Sequence, residues 1–569
     1  MVWQKPKEGR TGNEPKMEII RYRRNLNQVS VKAMALVVLP LAFLIVTLQL
    51  TKVSGPTWLS TNFENNYPYL FNSLLLVNGK TPEYLDHPGV TTELFGAVVL
   101  QWSGSGSGNV VTERVLTNPD RAIKRIQRAL LIFTGFVLWA APLLTSVYLQ
   151  RFVLGLLIQL PSLFFVSLLR YTIWFSSDLM LVSVSVIAIC LSVILMYQRK
   201  TGRQRLWAIA CAGVACALGI GTKLTFFPLI IILVASCSGL KNRAILLVTL
   251  VLALACVFAP VYPNLHNLIS WMFDLLTHTG NYGSGAPGFT QPDILWGGIV
   301  KLLSHEPKIG WVPLVSTLSI LFLLVIGRIR RIVPANKGIA EMALTLFALQ
   351  ILGFLLVAKH AYYHYLIPLY LSTGLNLILL YEASVRNRKS AVLTSFGIGL
   401  LSLISLWSLF DSAQQTVQWY GVLLGAARQQ LAMYQRVKTL TAGELRLDYY
   451  RCSSPEFAAW FGDENAGRYF GAALQSKYPH AIMSAFNSGS VEDIKFSTFT
   501  EDLDPVVVLK GHNRLYFFGN HTDETGTPGI VVKIPGLNGN DIKMVDSAGG
   551  YFLDYLDEWT RPAEPEPAH

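Results

Sequence analysis

Four groups of polar and ionisable residues stand beside long apolar runs in this sequence, where a charge is costly and needs a reason. The first is Asn62-Phe63-Glu64-Asn65-Asn66-Tyr67, followed by Gly79 and by Glu83-Tyr84-Leu85-Asp86-His87-Pro88-Gly89. A carboxylate just past an apolar run, Glu64 or Asp86, is a candidate general base or ligand for a divalent metal ion; each also reads as a solvated loop acid. The second is Asp178, at the start of an apolar run. It is either a charge that complements a helix N-terminus or part of a site. The third is Gly219-Ile220-Gly221-Thr222-Lys223. The Lys223 ammonium suits a phosphate or snorkels to water. Arg170 and Lys359 fall at the same level, and three cations at one face favour an anionic ligand. The fourth joins His278 to Gly285, including Tyr282, with Lys359 to Tyr365, including His364. Glycine-rich backbone admits a close ligand, and His and Tyr supply hydrogen bonds and rings that stack on a sugar. An aromatic belt at a membrane surface is the plainer reading of the Tyr cluster.

These groups are positioned by helices that cross a membrane. Of 569 residues, 52% are hydrophobic and only 14% charged, too few charges to cover a water-soluble chain of this length. The apolar residues fall in separate runs of roughly 20, the length that spans a hydrocarbon core. Spans are expected near 31–53, 129–149, 152–170, 178–197, 205–221, 224–240, 243–262, 311–327, 339–358, 363–382 and 391–410. The formal net charge of +12 does not point to nucleic acid, because Lys and Arg gather in short loops between the runs. With the N-terminus inside, Arg151, the Arg199–Arg205 group, Lys241 and Arg243, the Arg328–Lys337 group and Arg386–Lys389 all fall inside, which is the positive-inside pattern. The first run is too long for a cleaved signal and no small-residue cleavage site follows it. The six cysteines show neither metal-ligand spacing nor a disulfide framework.

The expected fold is an α-helical polytopic membrane protein of about eleven transmembrane helices, with a small α+β extracytoplasmic C-terminal domain. Residues 1–30 form a cytoplasmic segment, 31–410 the membrane domain with outer loops 54–128 and 263–310, and 411–569 the outer domain. The first loop contains an amphipathic stretch, Tyr67 to Val77, a Ser/Gly linker, Ser103 to Gly108, and a basic stretch, Asn118 to Arg128, read as an interfacial helix touching headgroups. The tail has a helical pattern over Thr416–Leu440, then strand-like runs at Pro505–Lys510, Arg514–Phe518 and Ile530–Ile534. No phosphate-loop, dinucleotide or zinc-protease motif is present. ATP-driven transport therefore has no machinery here.

This layout resembles the GT-C superfamily of polytopic glycosyltransferases, which includes the protein O-mannosyltransferases and the lipid A aminoarabinose transferases. The residues that carry the resemblance are Glu64 beside Asn65-Asn66-Tyr67, then Gly79, then Asp86-His87-Pro88-Gly89 in the first loop. Gly221-Thr222-Lys223, Asp178 and His364-Tyr365-Leu366-Ile367-Pro368 are similar to further segments of that family. The resemblance ends near Leu380. Three positions depart from the pattern. Phe-Glu-Asn-Asn stands where relatives have paired acids, His-Pro-Gly replaces His-Pro-Pro, and His364 replaces an Arg.

The resemblance implies a polyprenyl-phosphate sugar donor, with the phosphate held by Lys223 together with Arg170 or Lys359. It implies Glu64 or Asp86 as the base that deprotonates an acceptor hydroxyl, inversion at the anomeric carbon, and Asp178 orienting the acceptor or the base. Asn65, Tyr67, His87, His278, Tyr282, His364 and Tyr365 would line the substrates. Some relatives bind a divalent metal ion, for which Asp86, His87 and His278 are candidate ligands, although their spacing predicts none. Partners are the donor, membrane lipids and an acceptor glycan, lipid or protein, with no nucleic acid. The family favours a bacterial inner membrane. Two other classes stay open: a transporter or flippase, which needs polar residues through its spans, and a non-catalytic scaffold that keeps the helical body and binds a partner through its tail.

Overall fold

The computed structural model describes residues 33–85, 88–104, 106–200, 202, 204–278, 287–288, 291–329, 337–386, 389–442, 444–449, 452–484, 496–504, 508, 514–519, 542–548 and 551–557. Eight described helices are long and apolar enough to cross a membrane, so the chain is a helical multi-pass membrane protein. A ninth candidate, over 152–173, bends by 71° at its middle. Two shorter apolar helices stand where the sequence places spans at 205–221 and 224–240.

In chain order the helices are α1 Val38–Val53, α2 Phe63–Val77, α3 Val90–Ser103, α4 Gly108–Thr117, α5 Pro119–Leu149, α6 Phe152–Gln159, α7 Val166–Arg170, α8 Ser177–Lys200, α9 Leu206–Thr222 and α10 Phe227–Ser236. They continue as α11 Gly239–Phe258, α12 Leu265–Thr277, α13 Pro292–His305, α14 Lys308–Ile329, α15 Lys337–Ala358, α16 Ile367–Arg386 and α17 Ala391–Leu440. α8 and α16 are the axis of the bundle: 89% and 94% of their apolar windows are buried in protein, against 17% for the span over Gly239–Leu275. Several of their inward polar side chains find partners there. Gln350 donates to Ser372 Oγ at 2.9 Å and to Asn376 Oδ1 at 2.7 Å. Ser183 donates to Thr134 Oγ1 at 3.0 Å. At the other end of the bundle Glu382 accepts from Arg151 at 2.6 Å and pairs with Lys200 at 3.4 Å.

Two segments differ from the sequence reading. The basic stretch from Asn118 is not a separate interfacial helix. It forms the first turns of α5, a continuous helix of 31 residues capped by Asn118, whose side chain accepts from the Arg121 N–H. Likewise 391–410 and 416–440 are one helix of 50 residues, α17, so the expected boundary at residue 411 falls within it. Asp411 to Thr416 is polar but contains neither Gly nor Pro, and nothing there interrupts the helical hydrogen bonds.

The tail beyond α17 adds α18 Pro455–Glu464, α19 Gly471–Lys477 and seven described strands: β1 Leu445–Tyr449, β2 Ala481–Ser484, β3 Phe496–Ser497, β4 Asp502–Leu503, β5 Arg514–Gly519, β6 Ile542–Ala548 and β7 Tyr551–Asp557. They form one mixed sheet in the order β4-β3-β2-β1-β5-β7-β6, with β1 parallel to both β2 and β5. The Arg514–Phe518 expectation is met by β5. The Ile530–Ile534 run and nearly all of Pro505–Lys510 lie outside the described residues. The tail rests on α2. Phe63 meets Phe457 and Phe461 edge-on at 5.5 and 5.3 Å. Gly462 lies so close to Phe71 that a Cβ there would come within 2.4 Å of its ring.

Candidate functional site

The chain breaks between α9 and α10, and the break is written in its glycines. A Cβ on Gly219 would lie 2.3 Å from the Phe226 ring, and one on Gly221 would lie 2.4 Å from Val257. Both positions therefore need hydrogen in place of a side chain. Helix α9 ends at Thr222, and Lys223 is extended, with φ −164° and ψ 136°. This turn aims the Lys223 side chain into protein: the residue is 2% exposed. Its Nζ lies 2.7 Å from Asp178 Oδ1, and Asp178 is itself 4% exposed.

Asp178 occupies the first turn of α8, where the helix dipole favours an anion. Ser176 donates to its other oxygen at 3.0 Å. The pair is walled by rings. Lys223 Nζ stands 4.9 Å from the centre of Tyr365. His364 meets Tyr365 edge-on at 4.2 Å and Tyr171 at 4.7 Å. Two segments distant in sequence thus converge with the 362–365 stretch.

The first loop closes over the same break. The Gly89 N–H donates to the Thr222 carbonyl at 3.3 Å, and the hydroxyls of Thr91 and Thr222 are hydrogen-bonded. Asn66 accepts from the Phe175 N–H, and Trp174 Nε1 donates to the Thr61 carbonyl at 2.9 Å. α2 and the Pro88–Thr91 stretch are therefore fixed to the chain that carries Asp178 and Lys223. Asp86 and His87, immediately before Pro88, lie outside the described residues, as does Tyr282. Glu64 lies in the first turn of α2.

The other sequence-predicted residues are dispersed. Arg170 stacks on Trp419 of α17, 4.3 Å from the ring centre. Lys359 donates to the Leu275 carbonyl at 2.8 Å. The three cations expected to share one anion therefore each have a different neighbour, and only Lys223 sits against Asp178. His278 hydrogen-bonds Thr277 at 3.0 Å and lies 3.6 Å from Asp274, at the end of α12. Tyr67, on α2, is 1% exposed and faces Gly462 of the tail, and burial pushes its phenol well above the ordinary range. Asn65 is half-exposed. Among the described residues no three His, Cys, Asp or Glu side chains group to hold a metal ion.

Two acids that the sequence reading passed over are fully buried. Glu93, in the first turn of α3, accepts from Asn72 Nδ2 at 2.7 Å, and its second oxygen has no hydrogen-bond partner among the described residues. Burial without a cation pushes its carboxyl up to about 8. Asn72 also accepts from the Glu83 and Tyr84 N–H groups, so Glu93 and Asn72 together pin the chain leading to Asp86. Glu306 accepts from the Ser167 N–H at 2.9 Å, and burial raises it too, with Lys308 nearby opposing the rise. Glu93 carries a sequence signal, because an apolar run from Leu94 to Leu100 follows it directly, whereas Glu306 stands in the polar segment His305-Glu306-Pro307-Lys308 and carries none.

No protein-family model matches this chain, and no curated protein matches its sequence.

Proposed function

We propose that the chain is a GT-C-type glycosyltransferase that moves a sugar from a polyprenyl-phosphate donor to an acceptor hydroxyl, with inversion. The observation that carries this reading is the buried Lys223–Asp178 pair at a helix break, walled by Tyr171, His364 and Tyr365 and overlaid by Pro88–Thr91. A buried ion pair adds little net stability, because desolvation offsets its attraction. A plain strut would be as well made from apolar side chains. In this reading the donor phosphate takes the place of Asp178 on Lys223. The freed carboxylate then orients the acceptor. As the anomeric carbon–oxygen bond to phosphate breaks, the ammonium stabilises the departing phosphate. The acceptor oxygen forms the new bond and its proton passes to Glu64 or Asp86. The membrane domain then has about eleven spans, a cytoplasmic N-terminus and the sheet domain outside, in a bacterial inner membrane.

Two observations favour a second reading, a non-catalytic scaffold: Lys223 and Asp178 already satisfy one another, and the tail packs on α2. The deciding experiment offers the purified full chain a panel of polyprenyl-phosphate sugars and compares wild type with Lys223→Met, Glu64→Gln and Asp86→Asn. Consumption of one donor, lost in Lys223→Met while the protein stays folded, supports the transferase and identifies the sugar. Full turnover by both acid variants removes the assigned base. If no donor binds wild type and a stoichiometric partner co-purifies, the scaffold reading replaces it; uptake into proteoliposomes without any lipid-linked donor would instead make the chain a transporter.

A further inference from the structure

The first turns of α5 carry Arg121, Lys124, Arg125 and Arg128, spaced by three, one and three residues. On a helix this spacing puts all four on one face. The same face continues, one turn further on, as Ile132 and Phe136, which are 60% and 56% exposed. A single strip thus passes from cations to bare hydrocarbon where α5 enters its apolar window. Arg121 and Arg128 are exposed, and Lys124 and Arg125 half-buried.

The strip borders a solvent-open depression. Asn118, Asp120 and the four cations line an open groove of about 460 Å³. Asp120 offsets only one of the four cations. One of its oxygens accepts from both the N–H and the hydroxyl of Thr57 at 2.6 and 2.9 Å, and the other pairs with Lys124 at 2.9 Å. Arg121 and Arg128 have no acidic partner among the described residues, and Arg125 donates to Ser103 Oγ at 3.0 Å. That contact brings the end of α3 beside the strip, where Trp102 is 88% exposed. An exposed indole is at home among headgroups.

We infer that this strip binds the headgroup phosphate of an anionic phospholipid, in the leaflet on the side of the C-terminal domain, with an acyl chain along Ile132 and Phe136. Charge alone would suit any polyanion. The unbroken change from cations to exposed apolar side chains on one face selects a ligand with an anionic head and a hydrocarbon tail. Arg holds such a phosphate through paired N–H donors. Each cation near a membrane surface strengthens the attraction to an anionic lipid by roughly fivefold.

The test uses the full chain, purified in a neutral detergent and stripped of lipid, with bound lipids counted by native mass spectrometry. The probes are phosphatidylglycerol, phosphatidylcholine and a polyprenyl phosphate. Wild type should bind phosphatidylglycerol at least about tenfold more tightly than phosphatidylcholine. R121Q/R125Q/R128Q should bring the two within about twofold, and R121K/R125K/R128K should keep most of the preference. The unfolding midpoint of each variant shows whether it is folded. Equal binding of the two phospholipids by wild type, or an undiminished preference in the folded glutamine variant, overturns the proposal. It is overturned as well if the glutamine variant loses polyprenyl phosphate but keeps its phosphatidylglycerol, because the strip then belongs to the donor.

Discussion

Lys223 and Arg128 lie toward the same end of the bundle, linked through Gln127, whose amide donates to the Thr172 carbonyl at 3.3 Å in the segment leading to Asp178. Lys223 is 2% exposed and meets a carboxylate at 2.7 Å. Arg128 is exposed and, among the described residues, has none. Desolvation explains the difference. A cation out of water must bring its own counter-ion, so it accepts a new ligand only by exchange. A cation in water needs no partner and contributes weakly, additively and in a salt-dependent way. The first arrangement can make a selective site, and the second can make an adhesive surface.

The comparison breaks most sharply at the buried pair. Lys223→Met leaves Asp178 buried and uncompensated, which should lower stability by about 3–5 kcal/mol. The double variant Lys223→Met/Asp178→Leu should recover most of that loss, since an apolar pair replaces an ion pair at little net change. Reversible unfolding in mixed micelles measures all three. If the single and double variants were equally unstable, the two side chains would be uncoupled and the contrast with Arg128 would fail.

Glu93 supplies an intermediate case: a buried charge-bearing group that solves the same problem by staying neutral. Its carboxyl sits at about 8 in the folded protein, against an ordinary value of 4.5. Between those values the folded state keeps a proton that the unfolded chain has lost. The contribution of Glu93 to stability is therefore greatest below pH 4.5, falls as pH rises to 8 by at most about 1.4 kcal/mol per unit, and is flat above. Glu93→Gln should remove this part of the slope and be the more stable protein at pH 8, as unfolding midpoints across the range would reveal. A slope unchanged by the substitution would mean that Glu93 is ionised in the fold.

The break that presents Lys223 can be tested at smaller cost. Gly219→Ala puts a methyl group 2.3 Å from the Phe226 ring, so the ring must move, at about 1–3 kcal/mol. Gly425→Ala on α17, where an added Cβ meets nothing within 4 Å, should instead be neutral or slightly stabilising, because Ala is the better helix former. A Gly219 variant as stable as the Gly425 variant would show that Phe226 does not fix the turn.

Much of this was readable from residue order, and the reasons for the remainder are physical. Apolar runs of span length announce the membrane class, and Gly219-Ile-Gly-Thr-Lys223 marks a break because a lysine in an apolar stretch cannot be left unaccounted for. Pairing is another matter. Lys223 and Asp178 are 45 residues apart, and in the sequence each reads alone with its own role, because no local pattern encodes which helix ends meet. The Gly89–Thr222 and Asn66–Phe175 contacts are of the same kind. The burial of Glu93 does not show in the sequence, because a Glu in an outer loop is ordinarily solvated and here α2 covers it through Asn72. The continuity of α17 through Asp411–Thr416 does not show in the sequence, because a change of composition is not a change of backbone. Strand β5 is visible in its run of three aromatic residues, Tyr516 to Phe518, whereas its parallel partner β1 alternates apolar and polar over only five residues, with no β-branched side chain, and is too short to stand out.

The smallest effect separates the two kinds of cation by sign. Arg121 is the third residue of α5, two positions after Pro119, so its positive charge lies against the positive end of the helix dipole. A cation there destabilises the helix by about 0.3–1 kcal/mol, and water and salt screen the rest. Arg121→Gln should therefore raise stability slightly in neutral detergent, where Lys223→Met lowers it severalfold more. The gain should shrink as salt is added and vanish when phosphatidylglycerol is supplied, because the bound phosphate offsets the repulsion in wild type alone. If Arg121→Gln lowered stability in lipid-free detergent, the side chain would be holding protein together, and the strip would belong with Lys223 among the paired cations.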